Sequence, residues 1–281
     1  MIVKLLCWAW LIVTLWYSTT CAAITFVTDT EGMFNVIANK QPPQNFPEEV
    51  YHAVLSQLTV DTLLFAPHER VTSLMNGDVP MCTPYRLKTQ DREKVYVFSL
   101  PTDIFFNRRL YQHKSSQPLD GSFLNNQGDI VNLVDMMASS SDYTLLVGAD
   151  HSYGDFLDNM IAQIPPHSLY TRHGIDPYTS MIQMLSKGRI DFYLSYPSVI
   201  RSGPVAENVR SYGIAGMPSY EEGHLMCNDL AESRAFLTKF NAALIHLYRS
   251  GAFSDMAEKY MSNSEGQQLQ RIVADILTMA D

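Results

Sequence analysis

Val60-Asp61-Thr62-Leu63-Leu64-Phe65-Ala66-Pro67-His68-Glu69-Arg70-Val71-Thr72-Ser73-Leu74-Met75-Asn76-Gly77-Asp78-Val79-Pro80-Met81-Cys82-Thr83 is the stretch on which the fold class turns. Val60 to Phe65 is rich in apolar and β-favouring residues and predicts a strand. Pro67 opens a helix, where its missing N–H is no loss, and Asn76-Gly77 closes it, with Arg70 carried in between. Val79 to Thr83 predicts a second short strand. Strand, helix, strand in this order implies parallel strands joined by a crossover helix, and hence an α/β sheet covered by helices.

The same alternation extends outward in both directions. Upstream, Ile24 to Thr28 predicts a strand, and a loop with Pro42, Pro43 and Pro47 leads into a helix over Glu48 to Leu58. Downstream, after residue 104, it starts afresh. Asp129 to Ala138 predicts a helix and Tyr143 to Val147 a strand, and Phe156, Leu157, Met160, Ile161 and Ile164 mark one helical face. Ser168 to Tyr170 predicts a strand, Tyr178, Met181, Ile182 and Leu185 a helix, and Ile190 to Leu194 a strand. The C-terminal part is helical, with apolar stripes at Phe236, Phe240, Leu244 and Leu247, at Phe253, Met256 and Tyr260, and at Leu269, Ile272, Val273 and Ile276. No new strand set follows for these stripes to cover. They are expected to return to the first unit, which leaves the second as an insertion with two chain crossings between lobes.

Composition fits such a domain pair. The 281 residues are 46% hydrophobic and 17% charged, which suits a globular chain with a sizeable core. Twenty Lys and Arg stand against 29 Asp and Glu, a formal charge of −9, so a nucleic-acid partner, which needs a surplus of cations, is disfavoured.

The first 23 residues differ from the rest. Lys4 is followed by an apolar run from Leu5 to Tyr17 and by Ser18-Thr19-Thr20-Cys21-Ala22-Ala23, a pattern that predicts a secretory signal peptide over 1–23 and a periplasmic mature protein. Its removal takes away all three Trp and two of the four Cys, and lowers the charge to −10. Cys82 and Cys227 then remain, either paired in an oxidising compartment or as buried free thiols.

Catalytic signals are thin. The eight His show no HExxH or HxH spacing, so a metal site is not expected, and no Gly-rich phosphate loop implies a cofactor. Asp150-His151-Ser152-Tyr153-Gly154 stands where a G-x-S-x-G nucleophile elbow would, but Asp150 replaces the first Gly of the tight turn. The alternative is recognition: backbone N–H groups of Ser152, Tyr153 and Gly154 at a helix start can hold an anion, or Ser152 can simply cap the helix.

Three fragments carry a family resemblance. Lys88-Thr89-Gln90-Asp91-Arg92, continuing to Phe98-Ser99-Leu100-Pro101, resembles the "T-x-x-R … F-S-x-P" signature of amino-acid-type periplasmic solute-binding proteins, family 3. Lys187-Gly188-Arg189-Ile190-Asp191 resembles that family's "G-R-x-D" before a late strand of the second lobe. Phe240-Asn241-Ala242-Ala243-Leu244, with Gly251-Ala252-Phe253 beyond, resembles its closing helices. The resemblance implies an α/β, two-lobed periplasmic-binding-protein-like fold of type II, its lobes joined by two hinge strands around a cleft. Lobe one is expected over 24–102 and 222–281, and lobe two over 103–221. It also sets Cys82 beside Cys227 on neighbouring strands, which favours a disulfide.

The function it implies is binding without catalysis. A small anionic or amino-acid-like solute is captured by lobe closure and passed, by a monomer, to an ABC permease or sensed by a histidine kinase or chemoreceptor. An enzyme on the same scaffold, a lyase or serine hydrolase, is the alternative. The expected ligand contacts are Arg92, whose planar fork matches a carboxylate, with Asp29, Phe34, Arg70, Thr83 and Tyr85 from lobe one and Ser152, Tyr153 and Tyr196 from lobe two. Pro84, Tyr85, Arg86 and Leu87 replace the family's small polar residues before T-x-x-R, so a standard α-amino acid is a poor expectation.

Overall fold

A computed structural model describes residues 24–106, 108–174, 177–201 and 205–280. The expected signal peptide, with Cys7 and Cys21, lies outside these residues. Among these residues, ten strands form two five-stranded sheets. The first contains β1 (Thr25–Thr28), β2 (Thr62–Phe65), β3 (Met81–Leu87), β4 (Tyr96–Phe106) and β10 (Tyr220–Asn228), in the order β2-β1-β3-β10-β4. The second contains β5 (Arg109–His113), β6 (Leu145–Gly148), β7 (Leu169–Arg172), β8 (Phe192–Ser195) and β9 (Val209–Tyr212), in the order β7-β6-β8-β5-β9.

In the first sheet β1, β2 and β3 run parallel, and β10 is antiparallel to both β3 and β4. The quoted stretch is the crossover it predicted: α3 (His68–Met75) starts after Pro67 and carries the chain from β2 to β3. Two other helices were read differently from sequence. A helix α1 (Glu31–Ala38) fills what reads as loop, held by buried Met33 and Val36. The next helix, α2 (Phe46–Leu55), starts earlier than Glu48 and takes Pro47 into its first turn, because Asn45 caps it, accepting from Glu48 N at 3.0 Å.

The three C-terminal helices, α9 (Ala231–Arg249), α10 (Gly251–Tyr260) and α11 (Asn263–Ala280), return to this first sheet as expected. Phe236, Phe240, Leu244, Leu247, Phe253, Leu269, Ile272, Val273 and Ile276 share one core with Phe26, Tyr51 and Leu225. Burying each large side chain contributes roughly 2–3 kcal/mol from removed apolar area.

The second sheet has its own cores on its two faces, around Leu110, Leu133, Leu145, Leu157 and Phe192 on one and Tyr111, Leu146, Met181 and Tyr193 on the other. Its helices include α5 (Leu133–Ala138), α6 (Asp155–Ile161), α7 (Pro177–Ser186) and α8 (Pro197–Arg201), and a short α4 (Gln90–Glu93) lies in the first unit. The helix expected from Asp129 begins at Leu133, because Asn132 caps it and Ile130 instead bridges to Ile214.

The two units communicate through β4 and β10. Tyr220 to Gly223 pair with Phe106 to Asp103, and the chain passes from Phe106 toward Arg109 of the second sheet. Cys82 and Cys227 face each other in the β3–β10 register and form a disulfide across 145 residues of chain. Among the described residues, no helix is long and apolar enough to cross a membrane.

Candidate functional site between the sheets

Parallel strands of both sheets point their C-terminal ends at each other, which is where α/β sheets place ligand crevices. From the first unit come Asp29 after β1, His68 after β2 and Arg86 near the end of β3. From the second come Asp150 and His151 after β6, His173 after β7 and Tyr196 after β8.

Asp29, His68 and Arg86 form a buried hydrogen-bonded triad. Arg86 Nη2 donates to Asp29 Oδ2 at 3.0 Å, and His68 Nδ1 donates to the same oxygen. Asp29 is only 4% exposed. Burial pushes its pKa up, but Arg86 and the His68 bond outweigh it and hold the carboxyl well below the usual range. His68 Nε2 lies 3.1 Å from the carbonyl oxygen of Asp150. Each ring nitrogen of His68 therefore faces an acceptor oxygen, one a carboxylate and one a carbonyl.

That bond crosses from one unit to the other, and three more do the same. Gln90 N donates to Asp155 Oδ2 at 3.3 Å, His173 Nδ1 meets Glu69 Oε1 at 3.1 Å, and Arg201 Nη2 donates to Glu265 Oε1 at 3.1 Å. The rings of His68 and His151 stack with centroids 4.0 Å apart. Burial, with a smaller contribution from neighbouring His68, lowers the His151 pKa to about 4.

The expected ligand residues fall in different environments. Arg92 ends the first turn of α4, where Thr89 caps the helix and accepts from Arg92 N at 3.4 Å; its Nη1 donates to Leu87 O at 3.1 Å. The Thr of T-x-x-R is therefore the cap that orients the turn bearing the Arg. Phe34 packs its ring on Phe65, Arg70 is exposed on α3, and Thr83 is buried. Tyr85 sits at φ +62° and lies edge-on to Tyr51.

On the other side, the anion-holding turn has an internal occupant. Asp158 Oδ1 accepts from Tyr153 N at 2.7 Å and its Oδ2 accepts from Ser152 Oγ at 2.5 Å. Gly154 N in turn donates to Ser152 Oγ at 3.2 Å. This spends the Ser152 hydroxyl on a carboxylate, whereas a nucleophile elbow would direct it to a His. The Tyr153 hydroxyl accepts from Gly148 N at 2.9 Å.

Tyr196 belongs to the hinge. Its hydroxyl donates to Glu221 Oε2 at 2.8 Å and accepts from Arg108, whose Nε donates to the same Glu221 oxygen at 2.8 Å. Phe105 stacks on the Tyr196 ring at 4.8 Å, and the Arg108 guanidinium lies 4.2 Å from that ring's centroid. Gly154 closes this corner at φ +84°: a Cβ there would stand 2.8 Å from Glu221 Oε1.

Arg108, Glu221, His68 and Asp158 were not singled out from sequence. The only local signal was Arg86, noted as a departure from the family pattern. Among the described residues, no group of three or more His, Cys, Asp or Glu is placed to hold a metal ion.

Two five-stranded sheets crossed by two strands, with both crevice edges at C-terminal strand ends, match known structures over most of their length. The fold is that of a two-lobed periplasmic binding protein. A histidine kinase sensor domain with similarity to periplasmic binding proteins superposes at TM-score 0.62 and 14% identity, covering 85% of this chain and 96% of that one. The substrate-binding protein of an amino acid ABC transporter superposes at 0.59 and 14%, covering 85% and 98%. An ancestral amino acid-binding protein described as a precursor of cyclohexadienyl dehydratase superposes at 0.58 and 15%, covering 85% and 95%. No protein-family profile and no curated protein matches the sequence.

Proposed function

We propose that this chain is a periplasmic solute-binding protein that closes its two lobes around a small molecule and presents the closed form to a membrane partner. The observation that carries the reading is the His68–Asp150 bond, with the His68–His151 stack beside it. Both lie where two sets of strand ends converge. A protein that can make contacts across the crevice only when shut has two states, and a solute touching both sides biases them. Moving such an equilibrium from 1:99 to 99:1 takes about 5.5 kcal/mol of differential affinity.

In this reading lobe one spans 24–102 and 222–281, lobe two spans 103–221, and residues 1–23 direct export and are removed. The ABC-transporter neighbour supports delivery to a permease. The sensor-domain neighbour supports a second role, input to a histidine kinase, and transport assays in a strain lacking this chain separate the two. In this reading the chain binds without catalysing, in keeping with Ser152 bonded to Asp158 and Asp29 bonded to Arg86 and His68.

Arg92, on its capped turn at the crevice edge, supplies charge to the solute from lobe one. Calorimetry on the solute that co-purifies with the protein tests this. Arg92→Ala is expected to weaken binding at least tenfold, and unchanged affinity would remove Arg92 from the site.

A further inference from the structure

We propose that the unit built on the second sheet carries a further binding site, outside the crevice, for a small anion with two or more carboxylate or phosphate groups. The site is a groove between the edge strand β7 and the helix α7. Met181, Ile182 and Leu185 of α7 pack with Leu146 of the neighbouring strand β6. Tyr170 is the register partner of Leu146, and Arg172 stands two residues further on, so both side chains of β7 share the face that α7 covers. On the helix side, Lys187 N donates to Gln183 O at 3.2 Å, which carries the helical turn one residue past Ser186. Gln183 and Met184 stand four and three residues before Lys187, so all three turn to one side, and Arg189 follows just beyond. The groove that these residues line has a volume of about 380 Å³, the size of a small-molecule site.

Its charge is one-sided. Arg172, Lys187 and Arg189 converge on the groove, and among the described residues no acidic side chain lines it. The Arg172 guanidinium donates to a backbone carbonyl, that of His173, and neither Lys187 nor Arg189 forms an ion pair among the described residues. Exposed cations elsewhere sit on acids: Lys88 on Glu93, Lys94 on Asp91, Arg201 on Glu265, Arg234 on Asp229 and Lys259 on Glu49. In a chain with 29 acidic residues against 20 basic ones, three cations sharing one groove repel each other, and a bound anion offsets that repulsion. A singly charged ion would meet one of them and leave the other two facing each other, so the ligand class is a polyanion. Guanidinium forks take carboxylate or phosphate oxygens in pairs, and Lys187 adds a point charge. Exposed Tyr170 and half-buried Met184 give the carbon body of the ligand an apolar surface.

Calorimetry on the full chain tests the site with citrate, with tripolyphosphate and, as the singly charged control, with acetate. Citrate or tripolyphosphate is expected to bind at least about tenfold more tightly than acetate and to weaken as salt is raised; the tighter of the two names the anionic group. The Lys187→Gln, Arg189→Gln double variant is expected to lose about tenfold or more of that affinity. Both positions are exposed, so the variant keeps its fold, which circular dichroism verifies. Arg92→Ala, aimed at the crevice, is expected to leave polyanion binding unchanged. The site is overturned if neither polyanion binds better than acetate, or if the double variant retains full affinity. Loss of polyanion binding in Arg92→Ala alone would also overturn it, by placing the anion in the crevice, and would leave the solute-binding reading standing.

Discussion

Asp103 lies fully buried on β4, with the Thr102 hydroxyl 2.9 Å from its Oδ2 and Tyr51 bonded to that same hydroxyl. Burial raises its pKa to about 8. The folded protein therefore holds a proton that the unfolded chain releases near pH 4, and stability falls as pH rises from about 4 to about 8. Asp103→Asn is expected to flatten this slope and to raise stability at pH 8 by on the order of a few kcal/mol, read by urea denaturation at several pH values. Asp29 behaves oppositely, since its carboxyl is held low and its contribution fades only in strong acid. Asp29→Asn leaves Arg86 buried without its counter-ion, and the expected cost is about 3–5 kcal/mol. His224, whose Nδ1 donates to Ser99 O at 2.9 Å, has its pKa lowered by burial to about 4. With His151 it makes stability fall as pH drops from about 6.5 toward 4, because the unfolded chain takes up protons that the folded one refuses.

At the scale of elements, the disulfide pins β3 to β10, so it ties the returning strand to the strand that leads into α4. Closing a loop of 145 residues removes unfolded-state entropy, and the Cys82→Ala, Cys227→Ala double variant is expected to lose about 3–5 kcal/mol in the same denaturation experiment. The crossover around α3 and the stripes of α9 to α11 were legible in the sequence because each is a local apolar pattern between clear breakers. β4 was not, since Pro101 and Asp103 read as interruptions. Proline is tolerated there because β4 is an edge strand, paired only with β10. β3 extends past Pro84 to Leu87 for a related reason: β1 pairs only with Met81 and Cys82, and a bulge in β10 lies opposite the proline. The crevice was the least legible part. His68 reaches Asp29 across 39 residues and Asp150 across 82, and Arg86 reaches Asp29 across 57, so no short spacing announces them. T-x-x-R was readable because a helix cap and its third residue are local by construction.

For the whole molecule, the two crossing strands make the hinge, and the Arg108–Glu221–Tyr196 cluster sits against it. Gly154 lies so close to Glu221 that the proposed closure leaves little room for a side chain there. Gly154→Ala adds a Cβ at a positive φ and at 2.8 Å from Glu221 Oε1, and is expected to shift the scattering profile toward a more open form with a weaker solute affinity. An unchanged profile and affinity would separate that glycine from the motion. The account as a whole rests on closure driven by a solute. Its most direct measurement is small-angle scattering on the protein after any co-purifying solute has been stripped by reversible unfolding, and again after that solute, identified by mass spectrometry, is returned. The account expects the radius of gyration to fall when the solute is restored, whereas a solute that binds with no change in scattering would contradict it.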